Sequence, residues 1–553
     1  MQKLKGTFLL LVCCTTATFS QEHAWVYFTD KDNVDFALNN PMSILSERAL
    51  QRKAKFAIAI DESDVPVNEN YIAELKSQNG ITVKAKSKWF NCAHVTGAIS
   101  VIEALKTLPF IARIDFADKR LNAKQQAVFS YRKLPDNHTE KTKQVEVNYN
   151  YGSTETQVKQ LKTNVLHVAD FTGDGIWIAV MDGGFPNVDQ LGAFERLRSQ
   201  NKLLGGYDFV DRTQDIFRSS GDGHGTNVLS DMAGFIENQF VGTAPDAAYI
   251  LFRTEDVATE TPVEESYWVE AAERADSLGV NLINTSLGYS TFDNPAYNYT
   301  PAQMDGQTTF ISKGATTATE KGMLVVVSAG NTGASATWNI ITAPADANVF
   351  AVGAVNAMGN YAGFSSRGPN ADGRIKPDGM AMGVNAAIIT TNNSVGTANG
   401  TSFASPILAG AMACLWQAFP DKSNLELMQL VRESSSLYTN PTSQMGFGIP
   451  NFETALSALE PPEIPVVPQV PEISDNATIF IFPNPGNQAI TIQLTSTLGA
   501  HLVTVFDIYG KLVLQKQLTQ GDNEIPVVQL SNALYIVHVE GSEGIKKFKF
   551  IKN

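Results

Sequence analysis

The chain has 553 residues, of which 43% are hydrophobic and 18% charged, and a formal net charge of −14. At roughly 150 residues per domain this predicts three or four domains and ample room for an enzyme-sized core. The apolar content excludes wholesale disorder, and the acidity excludes extended contact with nucleic-acid phosphates.

Residues 1–20 place Lys3 and Lys5 before an apolar run, Phe8 to Cys14, and then a small-residue stretch ending at Ser20. That is the layout of a secretory signal, and the run is too short to span a bilayer. No later stretch reaches about 18 continuous apolar residues, so the expectation is export followed by a soluble life. Of the four cysteines, Cys13 and Cys14 fall inside the signal, which leaves Cys92 and Cys414 and no disulfide framework.

Residues 21–145 read as a small α/β unit ending in a linker. Strands are expected at Ala24–Phe28, Ile81–Val83 and Ile111–Phe116, and helices around Tyr71–Ser77 and Ser100–Leu108. From Leu121 to Asn150 the chain turns polar and loses periodicity, as a linker does. Residues 146–458 alternate short β-branched runs with longer helical ones. The strands are Ile176–Met181, Ala248–Phe252, Val280–Asn284, Met323–Val327, Phe350–Val352 and Ala386–Thr390. The helices are Gln157–Ala169, Val263–Leu278, Thr401–Phe419 and Leu425–Glu433. Continuous apolar strands between helices imply a parallel sheet covered on both faces. Residues 459–473 hold Pro462, Pro465, Pro468 and Pro471, spaced by three as in a polyproline II spacer. Residues 474–553 carry short strand-like runs, among them Ala489–Thr495, Leu502–Ile508, Lys511–Gln515 and Leu534–Val539, which fit a small all-β sandwich.

Four positions in the 146–458 segment could carry chemistry. Asp182 ends the apolar run Ile178–Met181, where an open α/β sheet binds ligands, although a lone Asp there is more often a cap. His224 stands in Gly223-His224-Gly225-Thr226 just before helical spacing begins, and His167 reads as an ordinary helix-face residue. Ser402 opens a helix of small residues (Ala409, Gly410, Ala411, Ala413), whose N-terminus offers free amides and a positive dipole end. The lipase-type Gly-x-Ser-x-Gly elbow is not matched, since Ser405 stands where its last Gly would be. Asn331 closes a strand and presents either a turn residue or an amide donor to an oxyanion. Each signal alone is weak. Together, in the order Asp, His, Ser, they supply an orienting acid, a base, a nucleophile and an oxyanion donor.

At this point the sequence resembles the subtilisin-like serine peptidases. The blocks are Asp182-Gly183-Gly184, His224-Gly225-Thr226, Ser286-Leu287-Gly288, Ser328-Ala329-Gly330-Asn331 and Gly400-Thr401-Ser402-Phe403-Ala404-Ser405-Pro406. Phe364-Ser365-Ser366-Arg367-Gly368-Pro369 and Lys376-Pro377-Asp378 extend the match. The resemblance implies a doubly wound α/β fold and a catalytic triad of Asp182, His224 and Ser402, with Asn331 in the oxyanion hole. It also implies that Ser286, Leu287 and Gly288 pair with substrate backbone as an added strand. Two departures stand out: Gly183 occupies a place usually held by Ser or Thr, and Asn227 one often held by a second His. The aromatic-rich stretch Tyr289–Phe310 is an insertion. Uncharged Leu287, Gly288, Ala329 and Gly330 favour an apolar or aromatic residue before the scissile bond. No cofactor is expected to be required. Calcium is common in the family as a structural ion, and Asp208, Asp211, Asp215 and Asp222 supply local oxygens.

The segment 21–145 resembles the family's propeptides, which assist folding and block the cleft, with cleavage expected between about Leu121 and Asn150. Residues 474–553 resemble type IX secretion sorting domains, through Phe482-Pro483-Asn484-Pro485, Asp507-Ile508-Tyr509-Gly510-Lys511, Leu534-Tyr535-Ile536-Val537 and Lys546-Lys547-Phe548-Lys549. The expected partners are therefore peptide substrates, the chain's own propeptide and the secretion machinery, with the product secreted or held at the cell surface. The competing reading is a catalytically silent adhesion protein on the same scaffold, and an esterase is a third. By region the charge divides unevenly: 146–458 carries 16 basic and 32 acidic residues, and 21–145 carries 18 and 15.

Overall fold

The computed structural model describes residues 21–122, 148–218 and 222–458, and then 479–494, 501–507, 511–519, 521–541 and 544–552. The signal (1–20), the proline-rich spacer (459–473) and most of the expected cleavage region lie outside the described residues. The chain divides into two units, Met1–Leu459 and Glu460–Asn553.

In the first unit, residues 22–116 form a four-stranded antiparallel sheet in the order Thr82–Ser87, Cys92–Gly97, Glu22–Phe28, Ile111–Phe116. Cys92–Gly97, which the sequence reading passed over, is a central strand buried along its whole length. A helix at Glu47–Lys55 was also missed. Its charged sequence (ERALQRKAK) lacks an apolar stripe, because two of its basic residues, Arg52 and Lys53, are themselves buried.

The catalytic-sized body is built on seven parallel strands. Across the sheet they run Gly379–Met382, Phe350–Val355, Leu324–Ser328, Leu282–Thr285, Trp177–Asp182, Ala248–Arg253 and Leu203–Asp208. Strand residues alternate between the two faces, as the pleat requires. Ile178 and Val180 join a core with the helices His224–Ala233, Thr401–Ala418 and Asn424–Glu433. Ala179 and Met181 join a second core with Val263–Leu278 and Phe310–Glu320. The Thr401–Ala418 helix is buried at every residue except Gln417. Its small residues permit this: a Cβ on Gly410 would lie 2.0 Å from Thr243 Oγ1.

Three expectations change. Gln157–Ala169 is two short helices, Glu155–Gln160 and Thr163–Val168, because Lys162 between them is left-handed (φ 63°). Ala386–Ile389 is a strand, but it pairs antiparallel with Val395–Ala398 outside the main sheet. Both edge strands, Leu203–Asp208 and Gly379–Met382, were missed. The first is half-exposed and carries Gly205 and Gly206, so no apolar run marks it.

The 22–122 segment lies on the outer face of the Val263–Leu278 helix. Trp25 Nε1 donates to Ser266 Oγ at 2.8 Å. The Ser87 hydroxyl and the Lys88 and Trp89 amides converge on Glu273 at 2.5, 2.9 and 3.0 Å. Buried Arg52 and Lys53 both pair with buried Asp276, and Lys53 also pairs with Asp64, which in turn binds Lys321. Trp25, Tyr27, Trp89 and Cys92 belong to the same apolar cluster as Trp268 and Phe310.

In the second unit seven strands are seen among the described residues. Three form a sheet in the order Ile479–Phe482, Ala489–Leu494, Gly521–Pro526. Four form another in the order Leu512–Leu518, His501–Asp507, Ala533–Gly541, Gly544–Lys552. Ile490, Ile492, Val503, Val505, Val537 and Val539 share one core between them.

Candidate active site

Trp177–Asp182 is the first strand of the large sheet, and later strands are added on both sides of it. Its neighbour Leu282–Thr285 leads away to one edge and Ala248–Arg253 to the other, so the chain order reverses there. A crevice forms outside the carboxyl ends of strands at such a switch point. Asp182 ends one of these strands, and Ser286 follows directly on the other.

Asp182 is fully buried. Its Oδ1 accepts from the Gly183 amide at 2.8 Å and lies 2.8 Å from His224 Nδ1. Its Oδ2 has no hydrogen-bond partner among the described residues. Gly183, next in the chain, has no side chain to offer it a donor. His224 is the first residue of the His224–Ala233 helix. Gly225 beside it allows that helix to approach: a Cβ there would meet Gly184 O at 2.4 Å and Asp182 Cβ at 3.0 Å. The charge of Asp182, working against burial, raises His224 to about 9, with Asp222 and Glu255 adding to it.

Ser402 lies in the first turn of the buried helix, after Gly400. Its hydroxyl donates to the Ser286 carbonyl at 3.4 Å, and no hydrogen bond joins it to His224. Ser286 Oγ donates back to the Ser402 carbonyl at 2.8 Å, which ties the strand end to the helix start. The next ring, Phe403, lies with its centroid 5.7 Å from that of His224. Asn331 reaches the same helix start: its Oδ1 accepts from the Thr401 amide at 2.9 Å and the Thr401 hydroxyl at 3.0 Å. With the oxygen occupied, the Asn331 amide NH₂ turns away from Thr401. Thr401 was not singled out from sequence, although it stands in the Gly400-Thr401-Ser402 block.

Leu287 and Gly288 make no backbone hydrogen bond among the described residues, whereas Tyr289 pairs with Ala343. A short free edge therefore runs beside His224. The aromatic side chains of the insertion pack inward, while its Asp293 lines the cavity beside that edge. Tyr289, Phe292, Tyr297 and Tyr299 are buried, Tyr299 donates to Glu265 at 2.6 Å, and Lys119 of the N-terminal segment sits 4.0 Å above the Tyr299 ring. His167 is fully buried between Tyr151 Oη and the Thr243 carbonyl, which is a structural role.

The acids considered for calcium do not converge. Asp208 and Asp211 both pair with Arg253, at 2.9 and 2.6 Å, and Asp222 Oδ1 accepts from the His224 amide. Among the described residues, no group of three or more His, Cys, Asp or Glu side chains is placed to hold a metal ion. This set therefore does not fit a divalent ion.

Residues 173–448 match the model of the subtilase family, residues 23–132 that of the Peptidase S8 propeptide domain of Bacteroidota, and residues 480–553 that of the secretion system C-terminal sorting domain. The chain belongs to the subtilase family. It is a serine endopeptidase with a propeptide and a type IX sorting domain, and it is secreted or displayed at the cell surface. Among curated relatives, it is 28% identical over 300 residues to subtilisin of Bacillus pumilus, covering 54% of this chain and 97% of that one. It is 29% identical over 299 residues to alkaline elastase YaB of Bacillus sp. (strain YaB), covering 54% and 69%. With subtilisin J of Geobacillus stearothermophilus the identity is 24% over 416 residues, covering 75% and 93%. A solved structure of MycP1 from Mycobacterium smegmatis aligns at 21% identity with a TM-score of 0.45, over 57% of this chain and 87% of that one.

Proposed function

We propose that the chain hydrolyses peptide bonds through Ser402 as nucleophile, His224 as general base and Asp182 as the acid that orients the imidazole. The observation that carries this is the 2.8 Å contact between Asp182 Oδ1 and His224 Nδ1. It sits across a cleft whose other wall, Ser286, is hydrogen-bonded to Ser402. Asp182 holds Nδ1 as the protonated nitrogen, which leaves Nε2 free to take the Ser402 proton. In this structure the Ser402 hydroxyl rests on the Ser286 carbonyl. A turn about its Cα–Cβ bond redirects it, and contacts of this kind tighten when substrate binds.

The tetrahedral oxyanion would be met by the Ser402 amide, at a helix N-terminus with no intrahelical partner, and by Asn331 Nδ2. Asn331 is preset for this by Thr401. Proton return from His224 to the leaving amine gives an acyl-enzyme, and water resolves it by the same route. The free edge Ser286-Leu287-Gly288 suits an extended substrate, which adds to it as a strand. Apolar or aromatic side chains before the scissile bond fit the uncharged Ala329 and Gly330 nearby. The propeptide and sorting domain make the self-docking segment and the secretion machinery its partners, and the reaction as written uses no cofactor.

A fluorophosphonate probe tests the assignment. The secreted, processed protein is expected to take the label and to cleave casein-derived peptides. Ser402→Ala should lose both, with peptide cleavage down by at least about 10⁴-fold. Labelling without peptide cleavage would indicate an esterase, and no labelling at all would favour the silent adhesion protein.

A further inference from the structure

The cleft beside His224 opens into a cavity of about 450 Å³ between the 255–260 loop and the Ser286-Leu287-Gly288 edge. Its wall contains six carboxylates, those of Asp182, Asp222, Glu255, Asp256, Glu260 and Asp293, and no Lys or Arg. Among the described residues, the only ion pair made by any of the six is that of Asp182 with His224. Asp293 and Asp256 spend oxygens on backbone amides of the loop, at Glu260 and Ala258. Among the described residues no hydrogen bond reaches the partly buried Glu255 and Glu260 carboxylates, and the fully buried Asp182 Oδ2 has no partner.

Holding so many unpaired carboxylates ionised on one wall is costly in a body that already repels itself, and a bound cation would relieve it. The proton balance reflects that cost. Burial, with Asp182 and Glu260 adding to it, pushes Glu255 up to about 8, and burial with Asp293 beside it takes Glu260 to about 7.

We infer that this cavity selects substrates carrying a Lys or Arg side chain two or four residues before the scissile bond (P2 or P4). The choice of positions follows from the strand geometry. A substrate paired on the Ser286-Leu287-Gly288 edge turns alternate side chains to one face, and the cavity begins at His224 next to the reacting bond. The chain itself offers such a peptide: Arg132, Lys133, Lys141 and Lys143 stand in the stretch where its own cleavage is expected. The inference rests on the peptidase reading and adds to it a cationic substrate class, separate from any apolar choice at the residue before the bond.

The test compares kcat/KM of the matured, secreted enzyme on quenched peptides that share one scissile bond. They differ by Lys, norleucine or Glu at P2 and, in a second series, at P4. Lys is expected to exceed norleucine by at least about tenfold in one series, as a desolvated charge pair would give, with Glu lowest. In Glu255→Gln/Glu260→Gln the Lys-to-norleucine ratio should fall toward one, and because the ratio is taken within each enzyme it cancels any general loss. Norleucine peptides cut as well as Lys peptides by the wild type, or a ratio unchanged in the double variant, would overturn the inference and leave the peptidase reading standing. Failure to cut any peptide of either series would overturn both.

Discussion

At the residue scale, the base and its neighbours set the working pH. On the proposed mechanism His224 must be neutral to accept the Ser402 proton, yet Asp182 holds its pKa up near 9. Activity should therefore rise with pH through the alkaline range, with the acid limb of kcat/KM nearer 9 than the 6.5 of a free imidazole. A pH–rate profile on a neutral peptide checks this, and a limb near 6.5 would contradict it. The oxyanion donor makes a second test. Thr401→Val keeps the Thr401 amide bond to Asn331 but removes the hydroxyl at 3.0 Å. A freer Asn331 should lower kcat by about three- to tenfold with KM little changed. That is a fraction of the 10²–10³ loss established within this family for removing the donor outright. Asp182 and Asn331 were legible as candidates because each closes an apolar strand run, and His224 and Ser402 because each stands at the start of a helix. Thr401 was not legible, because a hydroxyl that orients another side chain has no periodicity to betray it. The acidic loop 255–260 escaped for a similar reason: charge in a loop reads as solvated until the cavity around it is seen.

At the scale of elements, the five inner strands of the large sheet could be read from their apolar runs, and their helical covers mostly from spacing. The edges could not, since Leu203–Asp208 is half-solvated and glycine-bearing. The Phe310–Glu320 helix was missed, because it begins where the aromatic insertion ends and its run of Thr and Ala carries few large apolar residues. The docking helix Val263–Leu278 was found, but not what it holds. Asp276 is fully buried between Arg52 and Lys53 of the propeptide. Asp276→Ala leaves two buried cations short of a partner, which should destabilise the precursor by about 3–5 kcal/mol. In the processed enzyme those cations are gone, so the same substitution should change kcat/KM little. Urea midpoints of Ser402→Ala precursors with and without Asp276→Ala would measure the first effect. An equal loss in the processed enzyme would contradict the account.

At the scale of the whole molecule, the acidity noted at the outset is concentrated in residues 146–458, and part of it now has an address beside the base. Cys92 and Cys414 are both buried and unpaired, so reductant should not inactivate the enzyme. The sorting domain is a separate unit with its own core. Deleting 474–553 should therefore leave an active but unexported peptidase in the periplasm, which fractionation and the fluorophosphonate label would locate. Continued release to the medium would count against the sorting role. The docking face has a further consequence. Trp25, Tyr27 and Trp89 are not laid over a finished surface, because they share one apolar cluster with Trp268 and Phe310. Cutting the propeptide away would strip these rings from the cluster and leave the enzyme without the segment it folded against. From then on its lifetime depends on how slowly it opens rather than on how readily it could form again.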